Sequence, residues 1–227
     1  MTARAWFRLT HLLSALTLAV PAVAQQAPAP PAAAAAPAEG ATTISGIVGF
    51  GVVENMGALA GLHVSRRLSP SIAVQGDALW MQDTVTRRTL DLAASVAQQL
   101  QTSQGATATG DVKVPAWSFT AGIDFDLTHG QSAIFHVFGE AGAARIAKQP
   151  TFTLGGADVT ADLGRYGIIL GEDLTGESTI GAFGAGFGVR VPRGVWVFDA
   201  GVSLLSLRAK DDTANVIRAM VAVGRRF

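Results

Sequence analysis

The chain has 227 residues, no cysteine, and 17 basic against 17 acidic side chains, so its formal charge is zero. The lack of Cys excludes a disulfide framework, a Cys-ligated metal and a thiol nucleophile, and the charge balance points to neither nucleic acid nor an acidic surface as partner. Only 15% of residues are charged, whereas 49% are apolar and 26 are glycine, which suits either a large buried core or a surface turned toward lipid.

Residues 1–24 carry the three parts of a secretory signal peptide: Arg4 and Arg8 at the start, a mostly apolar run over 9–20, and Ala22-Val23-Ala24 before Gln25. The run is too short to span a membrane as a helix. No Cys follows the cleavage site, which excludes lipid attachment there. Loss of the two arginines leaves 15 basic residues against 17 acidic ones. Residues 25–42 are rich in Ala and Pro and show no periodicity, so they are expected to form a disordered or polyproline-like tether in the periplasm.

From residue 43 to 227 the dominant signal is alternation of apolar with small or polar residues, the period of a strand. The first strand, 43–53, sets Ile44, Val48, Phe50 and Val52 against Ser45, Gly49 and Gly51. The second, 58–67, opposes Leu62 and Val64 to His63, Ser65 and Arg67, and the third, 72–82, opposes Ile72, Val74 and Trp80 to Gln75 and Asp77. The connection 83–113 follows. Within it Ala93, Val96, Ala97 and Leu100 fall on one helix face, so 90–101 is expected to be helical, and 102–110 to be mobile.

The fourth strand, 114–127, alternates most clearly, with Trp117, Phe119, Ile123 and Phe125 opposite Ser118, Thr120, Asp124 and Asp126. Thr128-His129-Gly130-Gln131 turns the chain into the fifth strand, 132–145, where Phe135 and Val137 oppose His136 and Glu140, while Ile134 and Phe138 blur the pattern. A second long connection, 146–178, contains the turn signal Gly155-Gly156 and is expected to form a hairpin-like extension. The sixth strand, 179–191, opposes Phe183, Phe187 and Val189 to Gly184, Gly186, Gly188 and Arg190. The seventh, 195–207, opposes Trp196, Phe198, Val202 and Leu204 to Asp199, Gly201 and Ser203. After a polar link, 208–213, the eighth strand, 216–227, sets Ile217, Val221, Val223 and Phe227 against Arg218, Met220, Gly224 and Arg226.

Each strand is long enough to cross a bilayer at a tilt, which takes roughly 9–11 residues. The links after the second, fourth and sixth strands are tight, and those after the third and fifth are long. That asymmetry predicts an all-β fold: an eight-stranded antiparallel up-and-down transmembrane barrel with both termini periplasmic and two long extracellular loops. A soluble eight-stranded barrel, with the apolar face turned inward, is the alternative.

From 43 to 227 the chain resembles small eight-stranded bacterial outer-membrane proteins of the OmpA transmembrane-domain, OmpX and opacity type. Apart from the terminal Phe227, the resemblance rests on architecture and not on a motif. It implies a cell outer-membrane location in a Gram-negative envelope, contact with outer-membrane lipids, and recognition of the C-terminal strand by the barrel-assembly machinery.

In such a barrel the polar face fills the lumen. Asp77, Asp124, Asp126, Glu140 and Asp199, with Arg67, Arg190, Arg218 and Arg226, are expected to form an interior charge network, because buried charges persist only when paired. Trp80 and Trp117 belong near the extracellular interface, and Trp196, Phe125, Phe135 and Phe227 near the periplasmic one. Arg225 falls on the lipid side and is expected to snorkel.

No catalytic residue, cofactor or metal site is assigned, since His63, His129 and His136 are scattered and none is placed to meet a lipid head group outside. The leading functional expectation is a structural or surface-interaction barrel with a side-chain-filled lumen, its ligand met by the two long loops. A narrow channel for small solutes and a lipid A-modifying enzyme are the alternatives.

Overall fold

A chain that places a bulky apolar residue at every second position, with glycine, serine or charge between, can satisfy both faces only in a sheet with two different surroundings. The computed structural model describes residues 39–128, 132–209 and 212–227. In chain order these form β1 (Thr42–Val52), β2 (Met56–Arg67), β3 (Ile72–Met81), α1 (Arg87–Gln104), β4 (Ala108–Lys113), β5 (Ala116–Asp126), β6 (Ile134–Leu154), β7 (Ala157–Asp158), a 3-10 helix (Thr160–Tyr166), β8 (Gly176–Arg193), β9 (Trp196–Arg208) and β10 (Thr213–Arg226). The signal-peptide segment, the tether as far as residue 38, the turn residues His129–Gln131, and Lys210 and Asp211 lie outside the described residues.

Eight strands close a ring in the order β1-β2-β3-β5-β6-β8-β9-β10, each antiparallel to its neighbours. They are the eight strands expected from the alternation. The seam runs from Thr43 opposite Arg226 to Val52 opposite Ile217. Reciprocal backbone bonds between Thr42 and Phe227, at 3.2 and 2.8 Å, extend it by one pair. Thr42, expected at the end of the tether, is thus the first residue of the wall. Closure leaves no edge with unpaired N–H and C=O groups, which would cost several kcal/mol each away from water.

At one end of the ring the turns are short. At the other, β6 outlasts the wall. It pairs with β8 as far as Lys148 opposite Gly176, and its remaining residues pair with β4, Lys113 opposite Gln149 through Ala108 opposite Leu154. β7 folds back on β6 through Gly155 and Gly156, whose φ of 58° and 87° are those of a two-residue hairpin turn. The expected hairpin-like extension is therefore present. The stretch 102–110, expected to be mobile, is instead helix to Gln104 and strand from Ala108. Its Gly/Ser/Thr composition hid the pairing, because a ladder is made by backbone groups and needs no apolar pattern.

α1 opens on Thr86, whose side chain accepts from the Thr89 amide, and closes on Gly105 in the left-handed region. Its buried stripe of Ala93, Ala97 and Leu100 packs on β4 and β6. The approach is close: a Cβ on Gly110 would meet the Ala93 carbonyl oxygen at 2.6 Å. Phe152 of β6, Val112 of β4 and Leu163 of the 3-10 helix complete the core of this cap. Burial of a side chain such as Phe152 stabilises by roughly 1.5–3 kcal/mol.

Candidate functional site

The inward residues of the ring sort into two layers. Toward the short turns they are charged. Arg190 of β8 holds Asp199 of β9 and Asp126 of β5, each at 3.1 Å, and also pairs with Asp124. Arg67 of β2 reaches Asp126 at 2.7 Å from the other side. His136 of β6 sits between the carboxylates, Nδ1 3.1 Å from Asp124 and Nε2 3.2 Å from Asp199. Three carboxylates therefore face two guanidinium groups and one imidazole. Higher up, Arg218 of β10 pairs with Glu140 of β6, and its Nε donates to the Ser203 hydroxyl at 2.9 Å. Thr120 of β5 donates to the second Glu140 oxygen at 2.6 Å. To one side, His63 and Asp77, cross-strand partners on β2 and β3, meet at 2.8 Å.

The interior thus brings together Asp124, Asp126, Asp199, Arg67 and Arg190 in one cluster and Glu140 with Arg218 in a second, while Asp77 pairs only with His63. Arg226 requires a correction. It was expected in the charge network, but it donates to the Gly194 carbonyl at 2.8 Å and has no carboxylate partner among the described residues. By Arg226, β10 has run past the level of Asp199, which lies opposite Ala222, and has reached the rim. His63 and His136 also lie inside the ring. Strand parity puts them there, but their aspartate partners come from register across neighbouring and distant strands.

Large side chains fit this layer because β8 carries glycine opposite three bulky inward residues of β6. His136, Phe138 and Glu140 lie opposite Gly188, Gly186 and Gly184. A Cβ on those glycines would meet the three side chains at 2.6, 2.5 and 2.6 Å. Phe138, ambiguous from the alternation, points inward. A cavity of about 60 Å³ remains, lined by polar Ser45, His63, Gln75 and Asp77 and by apolar Leu79, Phe138 and Met220 among others, large enough for a few waters.

The second layer was not expected. Toward the cap the inward positions are aliphatic: Leu59, Leu79, Met81, Leu205, Leu207 and Val216, joined without a break to the core of the cap. Leu59, Leu79, Leu205 and Val216 each expose 2% or less. A water-filled passage would wet these side chains, so the upper lumen is closed.

The outer wall has the opposite character. Phe119, Phe183, Phe187, Leu204, Ile217 and Val221 point outward, and Phe187 is 63% exposed, whereas the Arg218 side chain inside is 1% exposed. Trp80 and Trp117 face each other across β3 and β5 near the cap end. Phe125, Phe135, Trp196 and Phe227 lie toward the short-turn end, and the Arg225 guanidinium stands over the Phe227 ring at 5.4 Å. No helix among the described residues is long and apolar enough to cross a membrane.

Where the cap meets the ring, the Thr86 hydroxyl donates to Asp212 at 2.5 Å, tying the start of α1 to the link between β9 and β10. A cleft of about 490 Å³ opens beside it, lined by Arg88, Lys148, Glu172, Glu177 and Asp212 among others. At the far side of the cap, the hydroxyl and backbone amide of Thr160 hold the Asp158 carboxyl below its ordinary range.

No protein-family model matches the sequence, and no curated protein matches it significantly. Solved structures resemble it at low identity. Ail, the attachment invasion locus protein of Yersinia pestis, is 16% identical with a TM-score of 0.47, over 84% of this chain and 100% of that one. Neisserial surface protein A is 12% identical with a TM-score of 0.47, over 82% and 94%. The N-terminal barrel domain of Pseudomonas aeruginosa OprF is 13% identical with a TM-score of 0.44, over 83% and 98%. Likeness at this level carries nothing about fold or activity to this chain.

Proposed function

We propose that the chain is an exported outer-membrane barrel of structural or surface-interaction type, in which a closed wall and a filled lumen form a rigid mount for an ordered extracellular cap. The observation that carries this reading is the inverted polarity of the ring. Bulky apolar side chains cover its outside, while its lower interior holds paired charges. In water that arrangement would expose a large apolar surface at no gain; in lipid it removes the charges from hydrocarbon and presents a greasy wall.

The short turns belong on the periplasmic side and the cap outside, the usual asymmetry of such barrels. Residues 1–24 serve as the cleaved export signal, and the Ala/Pro-rich segment as a periplasmic tether. Strand β10, with Phe227 after it and forming one side of the seam, is the segment offered to the barrel-assembly machinery. The surface ligand meets the cap formed by α1, β4, the end of β6, β7 and the 3-10 helix. The aliphatic layer speaks for a non-conducting lumen. Engagement of His63 and His136 by aspartates inside the ring speaks against catalysis on lipid A at the outer rim.

The test is heat-modifiable gel migration of the membrane fraction. A compact band that shifts on boiling supports a closed barrel, and a freely soluble periplasmic protein ends the reading.

A further inference from the structure

The short-turn end of the outer wall carries arginines and no acidic side chain from the strands. Arg193 of β8 and Arg225 of β10 both pair in register with Trp196 of β9 between them. Arg66 of β2 lies opposite Thr42, which bonds back to Phe227. Arg66, Arg193 and Arg225 are all exposed, and none has an ion-pair partner among the described residues. The carboxylates on the same half of the ring, Asp77, Asp124, Asp126 and Asp199, face the lumen and are held there. Glu39, exposed in the turn before β1, forms no ion pair with the three arginines.

Two features give this arc a direction. Trp196 stands between two guanidinium groups, and a Trp on an apolar wall favours the depth of lipid head groups. Arg225 is laid over Phe227, which follows β10 toward the rim. Its charge is thereby drawn to the end of the hydrocarbon and not into it. Adjacent strands lie about 4.8 Å apart, so Arg193 and Arg225 flank a gap of roughly two strand spacings with an aromatic floor. Guanidinium groups recognise phosphate oxygens in a bidentate manner.

We infer that Arg193 and Arg225, with Trp196 and Phe227, form a binding site for the phosphate of an anionic glycerophospholipid in the periplasmic leaflet, to which Arg66, two strands beyond Arg225, adds positive charge. The inference rests on the membrane reading above. A lipid is the occupant, because the arginines rise from a wall whose neighbouring outward residues are Ile44, Val64, Val74 and Val191. A free anion would leave that apolar floor in water.

The test uses the full chain folded into phosphatidylcholine vesicles with a trace of spin-labelled phosphatidylglycerol or spin-labelled phosphatidylcholine. At low salt the wild type should prefer the anionic lipid by roughly five-fold or more, as expected when even one arginine engages the head group. The preference should fall toward parity in concentrated NaCl and in the R66Q/R193Q/R225Q variant. The R145Q/R208Q variant, altered on the outer wall at the cap end, should keep it.

Equal association of both lipids with the wild type overturns the proposal, and this needs no variant to fold. So does an unchanged preference in the triple variant, or an equal loss in R145Q/R208Q. Displacement of the lipid by inorganic phosphate at constant ionic strength would reassign the site to a free anion. A chain that never enters the vesicles fails the membrane reading instead, whereas a heat-modifiable barrel without lipid preference fails only this inference.

Discussion

Gly184 of β8 lies directly across from Glu140 of β6, and a Cβ placed on it would come within 2.6 Å of a Glu140 carboxylate oxygen. The same carboxylate takes the Arg218 guanidinium and the Thr120 hydroxyl. One glycine on the wall therefore provides the space in which a buried ion pair is assembled.

Gly184→Leu should displace Glu140 and destabilise the barrel by about 1–3 kcal/mol or more, the cost of overpacking compounded by a broken pair. Gly46→Leu is the matched control, because Gly46 points outward and a Cβ there meets nothing within 4 Å. It should fold like the wild type. Urea midpoints of the folded, unboiled gel band would compare the two, and equal loss at both positions would refute the packing argument.

Glu140→Ala leaves Arg218 buried without its carboxylate and should cost about 3–5 kcal/mol. Removing both charges together, as in E140L/R218M, should cost less than the two single changes combined, since their shared pair is lost only once. The same unfolding assay measures the coupling, and additive effects would mean that the two groups act independently.

Asp212→Asn or Thr86→Val should loosen the start of α1 without opening the ring. Loss of a capping contact is worth about 1 kcal/mol. Proteolysis of folded protein should then cut within the 83–113 connection more readily than in the wild type, while the band shift on boiling persists. Loss of the band shift would place the Thr86–Asp212 contact among those that hold the wall.

How much of this was legible beforehand differs from one part of the chain to the next. The eight wall strands could be read because outward Phe119, Ile123 and Phe125 alternate with Thr120, Asp124 and Asp126, a contrast of two environments. The aliphatic layer could not. At Leu204-Leu205 and again at Val216-Ile217 one residue meets the outside and the next the packed lumen, and alternation carries no signal when both sides are apolar. The extension of β6 was hidden in part by Pro150, which sits opposite Val112 in the β4 ladder and reads locally as a breaker. The charge partners of His136 come from β5 and β9, a closure in three dimensions that no spacing along the chain encodes.

The Asp158 carboxyl offers a titration outside the wall. Its folded pKa lies below the ordinary 3.8 because the Thr160 hydroxyl, and then its amide, stabilise the charged form. The stabilising contribution is present above the unfolded value and is lost as pH falls through the lower folded one. The Thr160 amide resonance, donated to Asp158 at 2.9 Å, should shift with a midpoint below 3.8. A midpoint at or above that value would contradict the contact between Asp158 and Thr160.

The most direct test of the account is collision accessibility along β10. The chain has no cysteine, so single cysteines at Ile217, Ala219, Val221 and Val223 can each be spin-labelled after folding into vesicles. All four should collide readily with dissolved oxygen and hardly at all with a water-soluble nickel chelate, which marks a wall bathed in lipid. Strong collision with the chelate at Val221, or a folded chain that remains in the aqueous phase, would contradict the claim that this barrel turns its apolar face to a membrane.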